Sequence, residues 1–320
     1  MKKTLLTSTA LVLMAGAAAA QVSFSGYGRF GLGYNEARGD AGGEDTALVS
    51  RFRLNIDGKA VTDAGVEFSA RVRLQADDDP YNNEQKAAGL NGARYSVIYG
   101  GLRVDAGNVA GSFDNLANYY GYEPGLEAFT GQYVGQDYSF LAYDSTGAGG
   151  NAVYVSYTAA GFTFGASYNP EVQADNDQWD IGASYVFNNF TVAAAYGESD
   201  QMDQSTYVFT LGADFDRFSG TLFIGDEDNV TSDGTVGGYD VSGTFWGASL
   251  SFDVGAATSI LASYGAGDND NDTESYGVSA IHDLGGGVSL RGGIGWTDSG
   301  EEGVSRADGV VGDFGVLFNF

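Results

Sequence analysis

The sequence predicts an all-β chain of sixteen antiparallel strands that closes into a transmembrane barrel. Three observations predict it. Apolar and polar residues alternate with period two from about residue 22 to the last residue. The connections alternate between very short turns and longer polar loops. Tyr, Phe and Trp recur at the ends of the apolar stripes, as an interfacial girdle requires, while the opposite face carries arginines that suit a wet lumen. A soluble β-sandwich or solenoid would share the alternation but bury its apolar face inside. Both termini fall on the short-turn side, so the first and last strands can pair and remove the sheet edges, as a bilayer demands.

Residues 1–20 stand apart. Lys2 and Lys3 precede an apolar run over residues 5–15, and Ala18, Ala19 and Ala20 supply a small-residue cleavage site. These are the three parts of an export signal, too short to span as a helix. The mature chain is expected to begin at Gln21 and to form one domain over 21–320.

The next stretch, "SGYGRFGLGYNE", holds Gly26-x-Gly28-x-x-Gly31, the spacing of a dinucleotide-binding fingerprint. That motif needs a strand before it and a helix opening after it. Here it lies within a strand: Val22, Phe24, Phe30, Leu32 and Tyr34 share one face, Ser23, Ser25, Tyr27 and Arg29 the other. The pattern continues with Phe52, Leu54 and Ile56 against Arg51, Arg53, Asn55 and Asp57, then Phe68, Val72 and Leu74 against Glu67, Arg71 and Arg73. Later strands repeat it, as in Phe162-x-Phe164, Trp179-x-Ile181, Tyr207-x-Phe209, Val288-x-Leu290, and finally Phe314, Val316, Phe318 and Phe320.

Short turns are expected near Thr62, at Gly100-Gly101, Ala160-Gly161, Asn188-Asn189 and Asp216-Arg217, near Gly255, and at Gly285-Gly286. Longer loops fall near residues 36–47, 77–91, 108–151, 170–177, 199–204, 227–238, 267–272 and 298–307. Seven turns and eight loops join sixteen strands.

The chain carries no Cys, so no disulfide stabilises it. Its formal charge of −27 becomes −29 once Lys2 and Lys3 are removed, which disfavours nucleic-acid partners. Aromatic content of 13% and regular alternation argue against disorder.

The whole mature chain resembles the general porins of alpha-proteobacteria, especially the Rhodobacter-type trimeric porin. The resemblance rests on "VSFSGYGRFGLGY", "NAVYVSYTAAGFTFGASYN", "YGVSAIHDLGGGVSLRGGIG" and the closing "GVVGDFGVLFNF", whose terminal Phe320 is similar to the insertion signal of that class. It implies a homotrimer of sixteen-stranded barrels in the outer membrane, with the third external loop folded into the pore. The longest connection, 108–151, would be that constriction loop, with Asp114, Glu123 and Glu127 as pore-facing carboxylates.

The basic residues suggest the opposing wall. Of thirteen Lys and Arg after residue 20, ten lie between Gln21 and Arg103; none occurs from Val104 to Asp216, where fifteen Asp and Glu fall. Parity sends Arg29, Arg51, Arg53, Arg71, Arg73, Arg94 and Arg103 to the polar face. A second hairpin tipping at Thr62 would set Arg51 opposite Arg73 and Arg53 opposite Arg71. Like charges so paired destabilise a sheet, so a pore wall facing an acidic loop explains them better than structure alone; the competing account neutralises them locally with Asp57 and Glu67. An opposed pair about 8 Å apart in an effective dielectric of about 20 interacts by about 2 kcal/mol.

The expectation is a passive channel for small hydrophilic solutes and ions, with lipid and lipopolysaccharide as its surroundings. The alternatives are a solute-specific channel, with lumen aromatics such as Tyr27 as a stacking track, and a barrel that only anchors the envelope. Acidic composition suggests cation preference; the arginine wall pulls the other way. No cofactor is expected beyond adventitious calcium at acidic loops. "DNDND" (residues 268–272) lacks the Gly and Glu of an EF-hand, while "QADDDP" (Asp77, Asp78, Asp79) and "GDEDN" (Asp226, Glu227, Asp228) read as solvated loop acids. Catalysis is not expected: there is no Cys, no G-x-S-x-G, and the one histidine, His282, falls by parity on the lipid face.

Overall fold

The computed structural model describes residues 21–40, 42–79, 84–129, 131–170, 177–229, 242–267, 273–298 and 308–320. The export signal expected over 1–20 and the acidic run at 268–272 lie outside them. Sixteen long strands make up the fold: β1 (Gln21–Asn35), β2 (Thr46–Val61), β3 (Glu67–Asp79), β4 (Arg94–Tyr99), β5 (Leu102–Gly107), β6 (Ala152–Ala159), β7 (Phe162–Asn169) and β8 (Gln178–Phe187). The second half contains β9 (Phe190–Ser199), β10 (Gln204–Phe215), β11 (Phe218–Asn229), β12 (Gly243–Asp253), β13 (Thr258–Gly267), β14 (Glu274–Gly285), β15 (Val288–Asp298) and β16 (Gly309–Asn319). Two-residue segments at Glu84–Gln85 and Gly89–Leu90 add to the edge of β3, and one helical turn, α1 (Glu36–Asp40), sits in the first loop.

Each long strand pairs antiparallel with its neighbours in sequence, and β16 pairs with β1, which closes the barrel. The two ends of the chain clasp each other: the Gly26 N–H donates to the Phe320 carbonyl at 2.9 Å, and the Phe320 N–H returns a bond to Gly26 at 3.0 Å. The turns at Gly100-Gly101, Ala160-Gly161, Asn188-Asn189, Asp216-Arg217 and near Gly255 fall where the sequence puts them, and the one expected at Gly285-Gly286 closes one residue later, at Gly286-Gly287. The type I′ turn of a two-residue hairpin has positive φ at both centres, matching strand twist, and Gly100-Gly101 (φ 57, 90) and Ala160-Gly161 (φ 50, 85) supply it.

One register differs by more. The β2–β3 turn is centred two residues later than Thr62, with the Thr62 N–H bonded to the Val66 carbonyl at 2.9 Å. Partners therefore slip by four: Arg51 faces Asp77, Arg53 faces Gln75, Asn55 faces Arg73 and Asp57 faces Arg71. An even slip keeps every side chain on its face while changing its neighbour. The expected Arg51–Arg73 and Arg53–Arg71 ladder is replaced by pairs that alternate charge. Several strands also run past the apolar stripe into the expected loops; β3 reaches Asp79 and β11 reaches Asn229, because polar residues beyond the bilayer still complete the ladder.

Burial is inverted relative to a water-soluble domain. Phe30 is 56% exposed, Phe68 48% and Phe314 60%, whereas Gln75, Ser96, Asp105 and Thr206 are buried. Apolar residues outside and polar residues inside describe a barrel in lipid around a wet lumen. His282 lies on the outer face, its Nδ1 2.8 Å from the Thr258 hydroxyl.

Leu222 stands 56% exposed in mid-strand β11. Leu222→Arg should therefore destabilise the barrel by about 2–4 kcal/mol in lipid bilayers, while Arg in place of inward Ser25 should cost close to nothing. Denaturant titration of the reconstituted protein reads both; equal costs would mean that the outer face does not meet hydrocarbon.

Candidate functional site

The connection between β5 and β6, residues 108–151, lies inside the barrel. A backbone folded into a lumen still needs partners for its N–H and C=O groups, and inward side chains of the wall supply them. Asp313 of β16 accepts three bonds at one oxygen, from the N–H groups of Leu126 (2.8 Å), Glu127 (2.7 Å) and Ala128 (2.8 Å). Glu227 of β11 accepts from the N–H of Asp137 at 2.9 Å and of Tyr138 at 3.2 Å. Asp180 of β8 accepts from the Ser112 N–H at 2.8 Å. Gln178 takes the Leu141 N–H at 2.8 Å and donates to the Ser139 carbonyl at 2.7 Å, and Ser249 takes the Tyr122 N–H at 2.8 Å. The loop is thus pinned to strands on several sides of the barrel.

Apolar packing fixes the same loop. Phe113, Leu116, Tyr119 and Tyr138 pack against Ala193, Ala195, Val208, Phe223 and Phe245 of β9 to β12. Full burial of each large side chain stabilises by about 1.5–3 kcal/mol. The wall is small where the loop comes closest: a Cβ at Gly247 would lie 2.0 Å from the Gln132 carbonyl oxygen.

The opposite wall carries the arginines, all on the inward face as parity predicts. They divide into two sets. Arg29 is bonded to Glu127 of the loop at 2.6 Å and to the Leu126 carbonyl at 2.9 Å. Arg51 pairs with Asp77, Arg71 with Asp57 (2.6 Å), and Arg103 with Asp105 (2.9 Å). Arg53, Arg73, Arg94 and Arg291 make no ion pair among the described residues. Arg53 bonds Gln75 at 2.5 Å and stands 5.3 Å from the centre of the Tyr27 ring. Arg73 donates to Asn55 (3.2 Å) and to the hydroxyl of loop residue Tyr143 (2.5 Å). Direct like-charge neighbours do occur, but between other strands than expected: Arg29 faces Arg51 and Arg71 faces Arg94. The local neutralisation weighed from sequence is real for Arg71 with Asp57, whereas Glu67 holds Lys59 (2.5 Å).

Of the three loop carboxylates predicted, Glu127 alone reaches the arginines. Asp114 accepts from the Tyr120 hydroxyl, and Glu123 from that of Tyr133 at 2.8 Å. Burial pushes the Glu127 carboxyl above the ordinary glutamate range, outweighing the downward pull of Arg29. Burial likewise raises Asp114, partly offset by Tyr120, and raises Asp137.

Two expectations are corrected. Asp77 and Asp78 are not solvated loop acids: Asp78 is 8% exposed and accepts from the Ser50 N–H at 2.7 Å, while Asp77 holds Arg51. Of the second run only Glu227, 2% exposed, departs from expectation, as a loop anchor; Asp228 is exposed as expected and accepts from Ser242 at 3.2 Å, and Asp226 accepts from Thr244 at 3.0 Å. No group of three or more His, Cys, Asp or Glu able to hold a metal occurs among the described residues. Arg53 stands over one face of the Tyr27 ring, 5.3 Å from its centre. Sequence reasoning missed the anchors Asp180, Glu227 and Asp313, and it missed Arg291. Parity signals all four as inward, but nothing local tells what they meet there.

The profile of the Gram-negative porin family matches residues 7–302. This chain belongs to that family. It is 33% identical to a porin of Fuscovulum blasticum over 313 residues, covering 94% of this chain and all of the other. A triple mutant of the Rhodopseudomonas blastica porin superposes with a TM-score of 0.77 at 29% identity, covering 93% of this chain and 100% of that one. A double mutant of the same porin gives 0.76 over the same coverage. This porin is an outer-membrane channel for passive diffusion of small solutes and ions, and porins of this family are channels, not enzymes.

Loss of the Asp313 carboxylate strands three loop N–H groups, each costing about 1–3 kcal/mol where water cannot replace the bond. In Asp313→Ala, single-channel traces should show frequent partial closures and the loop should be cut faster by protease. A trace as quiet as wild type would mean that the remaining anchors suffice.

Proposed function

We propose that residues 108–151 form the constriction of a general diffusion channel, with Arg29, Arg51, Arg53, Arg71, Arg73 and Arg94 as its basic wall and Asp114, Glu123 and Glu127 as its acidic loop. The observation that carries this reading is the double contact between loop and wall, Arg29 with Glu127 and Arg73 with Tyr143. A loop held across the lumen narrows it, and opposed charges at the narrowing orient dipolar and zwitterionic solutes and bias ion passage.

The pairing pattern sharpens the roles. Arg51 and Asp77 cancel, as do Arg71 and Asp57. Arg53 and Arg73 hold only neutral partners, and together with Arg94 and Arg291, which also make no ion pair among the described residues, they carry the net positive charge of the wall. In the wider reading, residues 1–20 are a cleaved export signal, three copies assemble in the membrane, and acidic outer loops meet lipopolysaccharide through divalent ions such as adventitious calcium. Their support is the tripartite N-terminal sequence, the family resemblance and the acidic composition respectively.

Reversal potentials under a salt gradient test the assignment. The double change Arg53→Ala with Arg73→Ala should shift selectivity toward cations, while Arg51→Ala with Asp77→Ala should leave it nearly unchanged. Equal shifts would discard the division of labour; no shift in either would discard the constriction.

A pH dependence follows from Glu127, whose raised pKa means that it takes up its proton at higher pH than an ordinary glutamate. The charged carboxylate, which balances Arg29 at neutral pH, is lost as pH falls through that raised value. Anion preference should therefore begin to rise above the usual glutamate range, and Glu127→Gln should show it already at neutral pH. A selectivity flat with pH would show that Glu127 does not face the ion path.

A further inference from the structure

The loop contains a cavity of its own, about 470 Å³ in volume, between its 113–120 and 133–143 segments. Seven of the twelve lining residues are aromatic, two are carboxylates and none is basic. Three tyrosine rings stand together: Tyr119 and Tyr120 at 5.0 Å between centres, Tyr120 and Tyr133 at 5.1 Å, Tyr119 and Tyr133 at 5.6 Å. Tyr120 is 39% exposed, so one ring of the group is open to solution. Asp114 is fixed beside it by the Tyr120 hydroxyl. Asp137 is held by its backbone on Glu227, and its carboxylate has no hydrogen-bond partner among the described residues.

Packing explains the inner rings but not this combination. Phe113 and Tyr138 are buried against the barrel wall, as a core demands. Tyr133 is half-buried with one face stacked on Tyr119, whereas Tyr120, Asp114 and Asp137 stand outside that core, and packing alone does not call for two carboxylates lining an aromatic cavity. Ring faces carry partial negative charge and attract cations that bring an apolar surface with them, and a nearby carboxylate adds the full counter-charge. An inorganic ion would keep its water shell and gain little from the rings. A carbohydrate would use the ring faces but leave the carboxylates without a counter-charge. Arg73 stands at one end of the cavity, donating to the Tyr143 hydroxyl with its guanidinium 6.0 Å from the centre of that ring, away from Tyr120 and Tyr133.

We propose that this cavity is a binding site for small organic cations of the quaternary-ammonium type, with Tyr120 and Tyr133 as the aromatic faces and Asp114 and Asp137 as the counter-charge. It rests on the channel reading only for its electrical readout, since binding is measurable without conduction. Burial already raises the Asp114 carboxyl, and a bound cation would offset that desolvation.

The experiment uses choline and its uncharged isostere 3,3-dimethyl-1-butanol on the full protein. In detergent, isothermal titration should give saturable choline binding on the order of 1 mM and none for the alcohol. In planar bilayers, choline should reduce the potassium chloride current over the same concentrations. Asp114→Asn with Asp137→Asn keeps the shape and hydrogen-bonding oxygens and should weaken binding by about tenfold or more. Tyr120→Leu, which leaves both carboxylates, should weaken it several-fold, while Tyr120→Phe, which keeps the ring and only releases Asp114 from its hydroxyl, should weaken it less. Absence of choline binding, equal binding of the alcohol, or unchanged affinity in the carboxamide variant would each overturn the site. Absence of potassium chloride conductance with choline binding intact would instead count against the channel reading and leave the site standing.

Discussion

In hydrocarbon no water is at hand to satisfy a backbone N–H or carbonyl, so a sheet that spans a membrane must have no edge. That constraint fixes the place of both chain ends. The reciprocal bonds between Gly26 and Phe320 bring β16 against β1, and with that pairing every strand has two neighbours. The inverted burial depends on it. Phe30 and Phe314 can face outward because the residues between them, Arg29 and Asp313 among them, face a closed and wet interior.

The same requirement acts a second time inside. Residues 108–151 have no ladder of their own, yet they sit where the wall excludes part of the water. Carboxylates suit the task because each ionised oxygen accepts several bonds, and charge-assisted bonds are about twice as strong as neutral ones. Asp313 turns one oxygen to three successive N–H groups; Glu227 uses both of its oxygens on two. Acids that look like a solvated excess in the composition are therefore in part structural. They are the means by which an irregular segment is held in one shape within a channel.

Parity was legible in the sequence and partnership was not. Period-two alternation places each arginine, each tether and His282 on its correct face without any knowledge of long-range contacts. Register needs the turn geometry, and the five-residue turn at Thr62 is less specific than Gly100-Gly101. A centre two residues away leaves all faces right and replaces every cross-strand neighbour, which is why Arg51 meets Asp77 rather than Arg73. The anchors were invisible for a related reason. Asp313 and the amides it holds are separated by 185 to 187 residues, and no local pattern announces a bond between a side chain and a distant backbone. Arg291 is hidden in the same way, joining Arg29 only because closure brings β15 near β1.

These two levels bear differently on ion selectivity. A count of inward arginines gives a strongly positive wall, and a count of all charges gives a strongly negative protein. Neither is the quantity a permeating ion senses. An arginine in contact with a carboxylate presents a dipole, whose field fades faster with distance than that of a single charge and is screened within about 8 Å at physiological ionic strength. Arg51 and Arg71 are of this kind, while Arg53 and Arg73, beside neutral Gln75, Asn55 and Tyr143, act as whole charges, as do Arg94 and Arg291. The sign of the narrowing therefore follows from which arginines lack a partner, and that is set by register, not by composition.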